Sequence, residues 1–145
     1  MMDYRDCIKM RLLRKERPDA KKAERSMEMA DAKLGEAIES LEHGIYSGAV
    51  VFSYTAMFHA ARAILFRDGF VEKSHACVAE YLKEVYVKGG RLSQKYVGML
   101  KDARFERHEV LYGLEAKGSQ DEAKYLVECA REFLEEVKRL LKAGA

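Results

Sequence analysis

Arg107 stands where helical geometry expects an apolar side chain. Over residues 92–112, Tyr96, Leu100, Ala103, Val110 and Leu111 recur at helical spacing, and Arg107 falls inside their stripe. A guanidinium is almost never fully buried unless paired. Two arrangements satisfy it. In one, Arg107 snorkels from the rim of the core or pairs with an internal Asp or Glu. In the other, it is held rigidly in a groove, where its planar fork of donors suits a phosphate. The run around it, Arg104-Phe-Glu-Arg107-His108-Glu-Val-Leu-Tyr112-Gly113, adds a second guanidinium, an imidazole and a phenol. Arg107 and His108 are the candidate catalytic pair. Arg104, Arg107 and Tyr112 are candidate ligand contacts.

A second stretch carries chemistry of the same kind: Ser53-Tyr54-Thr-Ala-Met-Phe58-His59-Ala-Ala-Arg62-Ala-Ile-Leu65. His59 is flanked at seven-residue spacing by Phe52 and Phe66. It reads either as a buried or interfacial histidine or as an imidazole lent to a site between subunits.

Other chemistries find no support. The phosphate-loop pattern GxxxxGKS/T, a GxGxxG after a strand, HExxH and an EF-hand loop are all missing. The four histidines, at 43, 59, 75 and 108, form no metal-ligand spacing. Glu72-x-x-His75 has the spacing of a di-iron ligand pair, but one copy in a loop reads as chance. No metal and no cofactor are expected. Cys7, Cys77 and Cys129 are odd in number and widely spaced, which predicts three small core residues rather than a disulfide framework.

These residues need a scaffold, and 145 residues with 48% hydrophobic content suit one domain, 1–145, with one core. The net charge of +2 projects no global field, so any anion-binding surface must be local. Asn is absent and Gln occurs twice among abundant Lys, Arg and Glu, which leans towards a thermophilic source. No signal peptide heads the chain, and no apolar run approaches the ~20 residues that span a bilayer. A cytoplasmic protein without membrane contact is expected.

The periodicity predicts an all-α fold: an up-and-down bundle of four main helices plus short additional ones. A short amphipathic helix runs from Asp3 to about Glu16, before Pro18. A long one spans Asp19 to Glu42, with Ala20, Ala23, Met27, Ala30, Leu34, Ala37, Ile38 and Leu41 on one stripe. The next, from Tyr46 to about Asp68, is apolar on both sides. A bundle this small cannot easily wrap one helix, so its Phe52/His59/Phe66 side is expected to meet another chain. Ser74 can cap a helix reaching about Val87, Leu92–Tyr112 forms another, and Ser119 to Glu122 opens the last with a capping box. No useful alternation of period two is present.

The two chemistry-bearing stretches resemble the HEPN (higher eukaryotes and prokaryotes nucleotide-binding) family, above all its small stand-alone prokaryotic members. The likeness lies in Tyr46-Ser-Gly-Ala49, then Ser53 to Leu65, then Gly69; in Lys73-Ser74-His75; and in Arg107-His-Glu-Val-Leu111-Tyr112-Gly113, where Leu111 replaces an Asp. It covers about residues 20–142. The resemblance implies a bundle of four main helices and often a homodimer. Members are commonly encoded beside a minimal nucleotidyltransferase as a toxin–antitoxin-like pair. Many are metal-independent ribonucleases whose Arg is followed, after four to six positions, by His at a two-fold cleft.

Here that His is missing. Positions 112 to 114 are Tyr112, Gly113 and Leu114, and no histidine follows His108. A phenol with a pKa near ~10 is a poor proton shuttle at neutral pH. Three readings follow. The first is a dimeric domain binding nucleotide, RNA or a nucleotidyltransferase partner through Arg107, with His59 and Arg62 lining the intersubunit cleft. The second is a ribonuclease with a degenerate motif using His108. The third is a non-catalytic interaction module.

Overall fold

The architecture is organised around one helix that cannot face water. In the computed structural model, which describes residues 2–115 and 118–144, α3 (Tyr46–Asp68) has thirteen buried residues. Around it stand α1 (Tyr4–Lys9), α2 (Ala20–Glu42), α4 (His75–Tyr81, continued by a π-helical turn over Leu82–Val87), α5 (Gln94–Tyr112) and α6 (Gln120–Ala143). The fold is all-α, as the periodicity predicts, with 77% of the described residues helical. By length and composition α3 could cross a bilayer, contrary to the reading that no run comes close, but most of it is buried inside the fold.

The side of α3 expected to meet another chain is covered from within. The most extensive packing in the protein is between α2 and α3. The buried positions of α2 are Ala23, Ser26, Met27, Ala30 and Ala37, small in all but one case, so the helices can approach closely. The Ser26 hydroxyl donates to the His59 carbonyl at 2.7 Å, and Lys22 and Lys33 lie over the rings of Phe66 and Phe52. Long aliphatic stems thus cover apolar surface that the sequence alone left for a partner. On the remaining sides α6 supplies Leu126, Phe133, Leu134 and Val137, and α5 supplies Val97, Leu100 and Ala103.

Ser119 caps α6 as read, accepting from the Glu122 amide, and Asp19, which the sequence reading placed only at the start of the helix, caps α2 by accepting from the Lys22 amide. Glu122 reaches back to the Gly118 amide, so the predicted box is only half closed. Ser74 occupies the N-cap of α4 without making a side-chain hydrogen bond. Residues 116 and 117 of the predicted α5–α6 loop lie outside the described residues.

The N-terminal region departs most from expectation. Its helix stops at Lys9, and Arg11 takes a positive φ of 60°. Leu13–Lys15 then forms β1, antiparallel to β2 (Phe70–Glu72), with Leu13 opposite Glu72. Three-residue strands are too short to show a period of two. The pairing fastens the N-terminal segment to the α3–α4 connection. It needs Gly69, whose φ is +88° and where a Cβ would lie 2.7 Å from the Glu16 carbonyl oxygen.

Cys7 and Cys77 are joined by a disulfide between α1 and α4, correcting the reading of three separate core thiols. Cys129 remains free and buried. The strand pairing brings together two cysteines 70 positions apart, a proximity that spacing cannot reveal. A closed loop of that length removes about 4 kcal/mol of chain entropy from the unfolded state. Cys7→Ser, or reduction of the wild type, is therefore expected to lower the calorimetric midpoint by roughly 10 °C. Equal midpoints with and without reductant would show that the bond contributes nothing.

Candidate functional site

Arg107 is half-buried on α5, with its guanidinium 5.8 Å from the centre of the Tyr54 ring. Neither Arg107 nor Arg104 has a carboxylate partner among the described residues. Arg107 is thus neither lost in solvent nor neutralised internally. Tyr54 itself is buried in α3, and its hydroxyl shares a 2.7 Å hydrogen bond with Nδ1 of His75, the first residue of α4. The His75 ring stacks on Phe58 at 4.0 Å. Three elements therefore converge: α3 brings Tyr54 and Phe58, α4 brings His75, and α5 brings Arg104 and Arg107.

The electrostatics are those of a small cationic patch. Burial, then the charges of Arg104 and Arg107, hold His75 below its ordinary pKa, with Glu72 acting the other way. Burial pushes the Tyr54 phenol up to about 12, against the opposing pull of the same two arginines. At neutral pH the cluster therefore holds a neutral imidazole, a protonated phenol and two unpaired guanidiniums. That is a set suited to a phosphodiester.

The other candidates divide. Arg62 spreads over Phe58 and Phe66, and its Nε pairs with Glu72 at 3.0 Å, so its charge is already answered. Glu72 and His75 are thereby tied to the interior turns of α3, Glu72 through Arg62 and His75 through Tyr54. His59 sits half-buried between Phe58 and α2, and burial together with Arg62 and Lys33 lowers its pKa. On α5, His108 and Tyr112 are exposed, with their rings 5.1 Å apart. Arg104, Arg107, His108 and Leu111 follow at the three- and four-residue steps that share one helix face. The sequence reading named Tyr54 and Phe58 in its second stretch and weighed Glu72-x-x-His75 as a metal pair, but did not join them as a site, because the ring partners of His75 lie 21 and 17 positions away on another helix.

Clefts elsewhere differ in character. One of about 170 Å³ between α5 and α6 is lined by Asp102, Phe105, Glu106, Glu122, Tyr125 and Leu126, and is acidic. Another near the end of α2 is lined by Glu36, Glu39, Ser40, His43, Ile45 and Phe52. Neither contains Arg107, Tyr54 or His75. Among the described residues no group of three or more metal-ligating side chains occurs.

Comparison with known proteins agrees with these motifs. The HEPN domain model matches residues 23–140, from α2 through nearly all of α6. The chain belongs to the HEPN family. It is also 28% identical over 116 residues to a protein of Methanocaldococcus jannaschii named "Putative toxin MJ0605", covering 80% of this chain and 86% of that one.

His59 and His75 both titrate below the ordinary 6.5 in the folded protein. Below that value the unfolded chain binds protons first, so stability falls as pH drops through this window and is whole above it. The thermal midpoint of this HEPN protein should hold between pH 8 and 7 and fall towards pH 5. The double variant His59→Gln, His75→Gln should show a shallower fall. An identical slope in both would remove the two imidazoles as its cause.

Proposed function

We propose that this chain acts as a toxin-like HEPN module that holds a phosphate-bearing ligand, RNA or nucleotide, at the surface formed by Arg104, Arg107, Tyr54 and His75. One observation carries the reading: the Arg107 guanidinium lies against Tyr54 with no carboxylate among the described residues to neutralise it. A free guanidinium braced on a buried aromatic ring gives a charged fork of fixed direction. Such a fork binds phosphate better than a mobile surface lysine does. With a net charge of +2, affinity must come from these few contacts rather than from a broad field.

A homodimer fits the same region. Phe105, Leu111, Tyr112 and Leu114, at or beyond the C-terminal half of α5, are exposed apolar side chains beside the arginines. Pairing there would place His108 and Tyr112 of both copies near the phosphate-holding surface, with His59 and Arg62 on its flank. A nucleotidyltransferase partner is the other occupant this surface suits, as a toxin–antitoxin-like pair in the cytoplasm.

Arg107→Ala is expected to weaken binding of a labelled single-stranded RNA about 10- to 100-fold in fluorescence anisotropy, with helical content unchanged. Arg104→Ala should weaken it less, and both should flatten the dependence of affinity on salt. Wild-type affinity in the Arg107 variant would remove that residue from the site.

A further inference from the structure

The cations of this chain are unevenly spread. Residues 9–25 hold eight Lys or Arg against three Asp or Glu. That segment carries five positive charges where the whole chain nets two, which leaves the other 128 residues net negative by three. None of the eight forms an ion pair among the described residues. Lys22 lies over the Phe66 ring, and Arg14, half-buried on β1, has its Nε enclosed without a hydrogen-bond partner. The segment is no loose tail. The Cys7–Cys77 bond holds the chain just before it, and β1 pairs with β2. The Glu16 amide donates to the Gly69 carbonyl at 2.8 Å, and the Asp19 amide to the Phe66 carbonyl at 2.9 Å. From there α2 begins, with Lys21 and Lys22 in its first turn and no acidic residue among them. That end of a helix is the positive pole of its dipole, so both charges stand where they are repelled. A fixed cluster of unanswered cations, set against a helix dipole, costs the folded chain stability that a bound polyanion restores.

We infer that this face, formed by β1, the chain that follows it and the first turn of α2, binds the sugar–phosphate backbone of a double-stranded nucleic acid. The composition of the face selects that occupant. A protein interface is built on an apolar centre, and a membrane-bound surface on apolar side chains that enter the lipid. In residues 9–25 the one exposed large apolar side chain is Met10. A single strand is held by stacking its bases on aromatic rings, and residues 9–25 contain no aromatic residue. A duplex keeps its bases inside and presents regularly spaced phosphates, which ask only for cations at fixed places.

This face is separate from the α5 surface and is carried by different residues. It lies almost wholly before residue 23, where the HEPN match begins. Lys22 and Arg62 lie over the same Phe66 ring, at 5.1 and 4.9 Å, so the face adjoins the flank of the α5 surface without sharing a residue with it. The strand pairing and the disulfide present the cations on a rigid support, so little order is lost when a backbone is laid on them.

The test uses the whole chain and two labelled hairpins of matched sequence, one RNA and one DNA, in fluorescence anisotropy at about 100 mM salt. Wild type is expected to bind them, and the hairpin bound more tightly identifies which duplex the face takes. Lys15→Gln, Arg17→Gln and Lys21→Gln together alter three exposed side chains and leave the backbone bonds of the segment in place. This variant should bind about tenfold more weakly or worse, with the slope of log affinity against log salt reduced by about 2–3. Lys95→Gln, Lys124→Gln and Arg131→Gln together remove the same charge from exposed positions of α5 and α6 and should stay within about twofold of wild type. On unaltered wild type, a bound hairpin should shield Lys15 and Lys21, but not Lys124, from acetylation. Wild-type affinity in the first variant, or an equal loss in both, overturns the inference. So does tighter binding to vesicles of anionic lipid than to either hairpin. A short single-stranded RNA should be lost by Arg107→Ala and kept by the first variant. Wild type that holds the hairpins but no single strand overturns the phosphate-holding reading and leaves this one standing.

Discussion

Everything in this fold answers to the burial of α3. A helix apolar around its circumference has no stable place at a surface, so it must be enclosed. Burying side chains the size of Met57, Phe58, Ile64 and Leu65 is worth roughly 1.5–3 kcal/mol each, and they are recruited on several sides of the helix. Enclosure requires close neighbours, which is why the inner face of α2 is mostly alanine. It also fixes the buried polar group that α3 lends to the candidate site. The Tyr54 ring is held in the core while its hydroxyl emerges beside His75.

A second buried polar network holds the far end of α3. Asp68 accepts hydrogen bonds from the hydroxyls of Tyr81 and Tyr86 at 2.8 and 2.6 Å. Arg67 donates to Tyr86 and to the carbonyls of Leu140 and Leu141 near the end of α6. Each partner is satisfied, so the network gives direction rather than costing stability. With the β1–β2 pair and the Cys7–Cys77 bond, it sets where the segment from Gly69 to Tyr86 lies. His75 sits in that segment. The site is thus assembled from a rigid helix and a connection tied down at several points, an arrangement suited to orienting an imidazole.

The arginines contribute by what they lack. Arg62 and Arg67 each have an anionic neighbour, Glu72 and Asp68, and so serve the structure. Arg104 and Arg107 have none among the described residues, and their charges stay available to a ligand. Four arginines of equal chemistry are separated into two roles only by their neighbours. The exposed apolar residues of α5 that border the second pair are what link ligand binding to assembly in the proposed function.

The helices were legible from sequence because their signal is local. The 3.6-residue period of α2 and α6, the cap at Ser119, and the anomaly of Arg107 within its stripe all lie within one or two turns. The family likeness was legible for the same reason, since Ser53 to Leu65 is a continuous run. Contacts between distant positions were decided by the tertiary structure alone. The chain of α2 side chains over Phe52 and Phe66, the joining of Cys7 to Cys77, and the meeting of His75 with Tyr54, Phe58 and the arginines each depend on how helices dock. Periodicity tells which face of a helix is buried. It carries no information about which neighbour does the burying, and the chemistry of this surface arises from that choice.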